Sequence, residues 1–218
     1  MEILYFGKRD SKTVLVQMVD EHDLLIIENE VEKIRELSHS NDFLLVAVKV
    51  DDWQKDLSPW SAPAVFGGYA FGDGAKSTLE FLKNEVIAPL SRQNAADGSK
   101  TKFYIGGYSL AGLFALWSAY ETDAFEGVAA ASPSVWFEGF SDFASSNDIK
   151  ANSVYLSLGD KEEKTKNQTM SKVGGAIRTI YSRFNKKVRC RLEWNEGGHF
   201  KDADVRTAKA FAWLLDTN

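Results

Sequence analysis

Apolar positions along this chain alternate between two kinds of pattern. "TVLVQMV" (Thr13–Val19) is short, β-branched and nearly all apolar, which predicts a strand, and Ile3–Phe6 reads as a short one before it. Leu24, Ile27, Val31, Ile34 and Leu37 then recur at helical spacing. "FLLVAVKV" (Phe43–Val50) is a continuous apolar run, as expected of a strand covered on both faces. Leu79, Leu82, Val86 and Leu90 mark the next helix, with Pro89 near its end. The alternation continues through strand Lys102–Gly107, helix Leu110–Tyr120 and the small-residue strand Gly127–Ala131. It closes with strand Ser153–Gly159, a helix faced by Met170, Val173, Ile177, Ile180 and Phe184, strand Val188–Trp194 and helix Asp202–Leu215. Repeated strand–helix units predict an α/β fold with a mostly parallel central sheet and helices on both faces. With no internal repeat or linker, residues 1–218 are expected to form one domain.

Two connections interrupt this rhythm. Asp51–Gly74 is long for a compact domain, and its Trp53, Trp60, Phe66, Tyr69 and Phe71 favour a functional loop over a disordered one. The stretch between Ala131 and Ser153 has room for one or two short helices and none for an independent cap.

"KFYIGGYSLAGLFALW" (Lys102–Trp117) joins a strand to a helix through a corner holding a single serine. "GGYSLAG" sets Ser109 two residues after Gly107, the context of a G-x-S-x-G nucleophile elbow, with Ala111 in the last glycine position and Gly112 one step later. Such a turn lifts the hydroxyl above the carboxyl end of the sheet. The backbone N–H of Leu110 then faces a developing oxyanion at the amino end of the helix. A hydroxyl needs a base, and the chain has three histidines. His22 lies among acids at a helix start and His39 at a helix end. His199, in "NEGGHF", follows a strand end and precedes the last helix, so it is the expected base. The carboxylate that orients it should follow the preceding strand, where "LSLGDKEEKTKN" offers Asp160, Glu162 and Glu163; spacing alone leaves all three open.

Composition narrows the partners. A hydrophobic content of 44% and a charged content of 26% suit a globular protein with a sizeable core. The formal charge of −5, without a basic aromatic-laced run, argues against nucleic acid. No apolar run is long enough for a membrane span and the first residues lack a signal-like core, so a cytoplasmic location and no membrane partner are expected. The single cysteine, Cys190, lies on the apolar face of a strand and reads as a packed thiol, with no disulfide and no cysteine-based zinc site. No metal and no organic cofactor are expected.

"GGYSLAG", "ASPSVWF" (Ala131–Phe137) and "GGHF" together resemble esterases of the enterochelin-esterase-like (siderophore esterase) group within the α/β hydrolases, related more broadly to esterase D. The resemblance runs from about Phe43 to the C-terminus. It implies the α/β-hydrolase fold with a minimal lid and hydrolysis of a small-molecule carboxylic ester through an acyl-enzyme. Acyl transfer to an alcohol, or a non-catalytic binding role, are the alternatives. Members of the group carry G-x-x-E after the penultimate strand, and Gly159–Glu162 fits, so the resemblance points to Glu162 as the acid. It further implies a second oxyanion donor just after Phe43–Val50, where Asp51, Asp52 and Trp53 are candidates and Asp52 is central. Tyr108 and Trp136 are expected to face substrate. Trp53 and Trp60 either wall the site or pin their loop.

Overall fold

The structure is a computed structural model that describes residues 1–95, 98, 100–184 and 186–216. One seven-stranded sheet runs through it in the order β1-β3-β2-β4-β5-β6-β7. Its strands are β1 (Glu2–Gly7), β2 (Thr13–Val19), β3 (Leu44–Lys49), β4 (Lys102–Tyr108), β5 (Gly127–Ala131), β6 (Ser153–Gly159) and β7 (Arg189–Asn195). β1 pairs antiparallel with β3, and every other neighbouring pair is parallel. The unbroken apolar runs of β2 and β3 are explained by position, because both strands are inner and covered on both faces.

Helices α1 (Glu21–Ser38) and α8 (Ala203–Leu215) cover one face, where Ile27, Val31 and Ile34 meet Leu15, Leu45 and Phe211. The other face carries α3 (Ala75–Phe81), α4 (Ala88–Asn94), α5 (Leu110–Glu121), α6 (Phe140–Ser146) and α7 (Val173–Phe184). α5 is buried along nearly its whole length, which is why its sequence is apolar all round. On the opposite face, small residues of the central strands let α8 pack closely. A Cβ on Gly106 would lie 2.5 Å from the Phe211 ring and 2.7 Å from Ala129 Cβ. Cys190 packs against the core on the α5 side, and burial pushes its thiol up to about 12.

Two local features add to the pattern-based expectation. The helix expected to have Pro89 near its end runs continuously over residues 75–94, with a π-turn over Leu82–Ile87 immediately before α4. The wider turn shifts the ladder, so that Ala88 N–H bonds Lys83 O and the missing N–H of Pro89 interrupts little. The Asp51–Gly74 loop contains a short helix, α2 (Trp53–Asp56), capped by Asp52. No helix of the described residues is long and apolar enough to cross a membrane.

Candidate functional site

Strand order performs the first part of the assembly. β4, β5, β6 and β7 are parallel neighbours, so the turns at their carboxyl ends lie in a row. Those turns carry Ser109, Ser132, Glu162 and His199 in that order.

Ser109 sits between β4 and α5 at φ 58° and ψ −118°, a conformation costing a non-glycine residue about 1–3 kcal/mol. Three backbone hydrogen bonds hold it there: its N–H donates to Ala131 O (3.1 Å), and its carbonyl accepts from Leu113 N (3.1 Å) and Ser134 N (3.0 Å). The turn is tight enough that a Cβ on Gly107 would stand 2.6 Å from Ala111 Cβ, so residue 107 must be glycine and residue 111 must be small.

Ser109 Oγ lies 2.9 Å from His199 Nε2, and His199 Nδ1 lies 2.7 Å from Glu162 Oε2. A carboxylate only accepts, so Nδ1 carries the proton and Nε2 is left as the acceptor for the Ser109 hydroxyl. Ser134 Oγ, 3.3 Å from Ser109 Oγ, must then be the donor of that pair. Burial pushes the Glu162 carboxyl up, but the bond and charge of His199, with bonds from Ser132 and the Gly159 N–H, outweigh it and hold the carboxyl below its ordinary value. Those last two bonds, both to Oε1, are 2.7 Å long.

Arg206, 2% exposed, completes the cluster from α8. Its Nη1 donates to Glu162 Oε1 (3.1 Å), Ser132 Oγ (3.2 Å) and Tyr108 Oη (3.1 Å). Its Nη2 donates to the carbonyls of Glu196 (3.0 Å) and Gly198 (3.1 Å), which belong to the turn carrying His199. One guanidinium therefore ties the acid to the histidine's own turn. Tyr108 adds a bond from its hydroxyl to His199 O (2.6 Å), and burial raises its phenol so that it keeps this proton.

The geometry also separates the three candidate acids. Glu163 forms a two-bond pair with Arg178 (2.9 and 3.0 Å), and Asp160 Oδ1 accepts the Gly197 N–H (2.7 Å), tying down the turn before His199. His22 and His39 stand at the two ends of α1 and touch none of these groups. Asp52, expected to offer its N–H to an oxyanion, instead gives it to Asp56 Oδ2 (3.0 Å), as Asp51 does (3.2 Å). The Trp53 and Leu110 N–H groups, each at the first position of a helix, carry no hydrogen bond to a described residue.

The aromatic residues divide. Trp60 donates its indole N–H to Glu138 O (2.9 Å) and packs edge-on against Phe137, so it pins the loop to the 137–143 segment. Tyr108 is committed to the His199 turn, and neither Trp53 nor Trp60 lines either of the two cavities beside the site. Trp136 lines both. A cavity of about 510 Å³ lies between Ala62–Val65 of the loop and the Val135–Gly139 segment. A second, of about 220 Å³, is bounded by Trp136, Met170, Val173, His199 and Phe200. Two walls of the cleft are the loop and the 135–140 segment, and a third is residues 161–172. Asn167 latches that wall to Val65 O (2.9 Å). Among the described residues no group of three or more His, Cys, Asp or Glu side chains is arranged to hold a metal ion.

The sequence pattern does not single out Ser132, Ser134 or Arg206. Arg206 was the most legible of them. It stands four and eight residues before Ala210 and Leu214 on the buried stripe of α8, where an arginine requires a buried partner.

Residues 22–189 match the family model described as "Putative esterase", a span that includes Ser109 and Glu162 and stops short of His199. No curated protein matches the chain in sequence. Among solved structures, an IroE-like serine hydrolase from Shewanella oneidensis aligns with a TM-score of 0.75 and 14% identity, over 98% of this chain and 75% of that one. The siderophore hydrolase EstA from Aspergillus nidulans aligns at 0.68 and 20% identity, over 95% and 83%. A Bacillus cereus carboxylesterase aligns at 0.56 and 14% identity, over 99% and 94%. At these identities the structural matches establish the α/β serine-hydrolase fold.

Proposed function

The chain belongs to the Esterase family and hydrolyses carboxylic esters, and we propose that it does so with Ser109 as nucleophile, His199 as general base and acid, and Glu162 as the carboxylate that orients and stabilises the imidazole. The observation that carries this reading is the continuous Ser109–His199–Glu162 chain of bonds, 2.9 and 2.7 Å long. Ser109 Oγ attacks the ester carbonyl as its proton passes to His199 Nε2. The tetrahedral intermediate collapses, the bond to the alcohol oxygen breaks, and His199 returns the proton to that oxygen. Water then gives a proton to His199 and attacks the acyl-enzyme, releasing the acid and restoring the serine.

Negative charge on the carbonyl oxygen is met by the Leu110 N–H and, as second donor, by the Trp53 N–H. The free state of these two amides supports that assignment, whereas the N–H groups of Asp51 and Asp52 are already engaged. One sheet carrying all three reacting groups supports reading residues 1–218 as a single domain. The test is Ser109→Ala on a p-nitrophenyl ester, with fluorophosphonate labelling of the parent protein. Turnover should fall about 10⁶-fold and label should attach at Ser109 alone. Full activity in the alanine variant, or label on another residue, would overturn the assignment.

A further inference from the structure

The two cavities that share Trp136 differ in position relative to His199 and in charge, and the difference assigns the two halves of the substrate. This step rests on the proposed function. In that mechanism His199 Nε2 hands its proton to the departing alcohol oxygen, so the alcohol half must leave on the histidine's side. The 220 Å³ cavity is the one lined by His199 itself. The 510 Å³ cavity shares Trp136 with it, lacks His199, and is lined by Val135, the residue after Ser134, whose hydroxyl touches Ser109.

Charge separates the two further. The wall of the smaller cavity is "KEEKTKNQTMSK", residues 161–172, in a chain whose formal charge is −5. Both of its acids are neutralised by arginine, Glu162 by buried Arg206 and Glu163 by Arg178. Lys161 lines the cavity, and Lys164 and Lys166 flank Thr165, which also lines it. None of these three ammonium groups has a carboxylate within ion-pair distance among the described residues. The larger cavity is the reverse: Lys172 faces two acids, Glu138 and Asp142, that likewise make no ion pair.

The smaller cavity's walls, Trp136, Met170, Val173 and Phe200, are apolar, and Phe200 is 96% exposed beside His199. A cavity of about 150 Å³ admits benzene, so this one takes a single ring with a substituent. We infer that the alcohol half of the substrate is a compact, ring-sized apolar group carrying an anionic substituent, seated between Trp136 and Phe200 with the anion at Lys161, while the acyl half occupies the larger cavity and carries no anion.

A matched pair of esters tests this: 4-acetoxybenzoate and the uncharged 4-acetoxybenzamide, each rate divided by the rate with hydroxide. The anionic ester should show the higher kcat/KM by about two- to fivefold at about 0.01 M salt, with the advantage gone at about 1 M. Lys161→Gln should narrow the ratio through KM, and Lys161→Arg should retain it. On the acyl side, mono-4-nitrophenyl glutarate should be no better than 4-nitrophenyl butyrate. Met170→Trp, which fills the smaller cavity, should depress phenyl butyrate hydrolysis more than methyl butyrate hydrolysis.

An amide ester equal to the benzoate at low salt would overturn the inference. So would a ratio unchanged by Lys161→Gln, a preferred glutarate, or equal losses on phenyl and methyl esters in the Met170 variant. Ser109→Ala run on the same esters separates the two levels. Surviving hydrolysis there would sink the proposed mechanism, whereas its loss with the wrong charge preference would sink only this assignment.

Discussion

Glu162 and Glu30 are both buried carboxyls, 7% and 3% exposed, and they stand at opposite ends of what burial can do. Glu162, after β6, receives His199, the Ser132 hydroxyl, the Gly159 N–H and the Arg206 guanidinium, and its carboxyl is held below the ordinary range. Glu30, in the middle of α1, has one hydrogen bond, from Gln17 Nε2 at 3.3 Å. Its Oε1 and the Gln17 Oε1 have no partner, and burial drives its carboxyl well above the ordinary value, with the charges of Asp23 and Asp204 pushing the same way. Removal from water opposes ionisation in both places. What differs is the number of donors aimed at the group and the presence of a counter-charge. A buried acid ready to stabilise an imidazolium is one the fold has surrounded with donors, and depth alone would have selected the wrong glutamate.

The sharpest way to break the contrast is to remove the charge that the donors stabilise. Glu162→Gln keeps the shape and can offer its amide nitrogen to His199, which favours the tautomer that cannot accept the Ser109 proton. Turnover should fall about 10⁴-fold, less than in Ser109→Ala. Glu163→Gln and Asp160→Asn should each stay within about tenfold of the parent, since their partners are Arg178 and the Gly197 N–H. Steady-state kinetics of the three variants on one ester checks this, and equal activity in all three would indicate a serine–histidine pair working without an acid.

A second way is to make Glu162 resemble Glu30 by removing its counter-charge. Arg206→Met leaves a buried carboxylate facing fewer donors, and unfolding should become easier by about 3–5 kcal/mol near neutral pH. The pH dependence carries the sign. A lowered carboxyl in the fold adds stability that is present above the unfolded value, about 4.3, and is lost as pH falls through the folded value. In the methionine variant that acid-side loss should shrink, because protonation then relieves an unpaired charge. Arg206→Lys should recover part of the stability and less of the activity. A single ammonium can meet Glu162 but cannot also span the Glu196 and Gly198 carbonyls that hold the His199 turn. Urea unfolding from pH 3 to 8 separates these cases.

The two regions were unequally legible in sequence. The strands and helices could be read because their periods are set by burial on one or two faces, and the parallel order followed from their alternation. Ser109 and His199 could be read because each is tied to a local backbone device, a glycine-flanked turn at a strand end. The pairing of β1 with β3, the Arg206 clamp and the latch from Asn167 to Val65 could not, because each joins residues that only the finished fold brings together. Asp52 was a reasonable candidate for an oxyanion donor by position. Its N–H was lost to Asp56, the last residue of the same short helix, whose carboxylate reaches back to accept it. Glu30 left no trace at all: a glutamate in "IIENEVEKI" reads as a solvated helix face, and the packing of α1 against β2 and α8 decides otherwise.

The smallest effect lies with Glu30 itself. Its raised carboxyl favours the protonated form in the fold, so the unfolded chain binds fewer protons between the unfolded value, about 4.3, and the folded one. Stability is therefore fully present below about pH 4.3 and declines as pH rises through the folded value. Glu30→Gln copies the protonated shape and cannot ionise, so it should match the parent within about 0.5 kcal/mol at pH 4 and exceed it at pH 8. Asp23, raised by burial to about 6, acts in the same direction, so some decline should survive in the Glu30 variant and disappear only when Asp23→Asn is added. Asp23 also caps the first turn of α1, accepting the Asp20 N–H at 3.1 Å, and asparagine retains an acceptor there. Neither change touches Ser109, His199 or Glu162, and ester hydrolysis should stay unchanged in both. If Glu30→Gln lost stability at every pH by the same amount, the carboxyl would be an ionised and satisfied group after all, and the contrast with Glu162 would collapse to one of position alone.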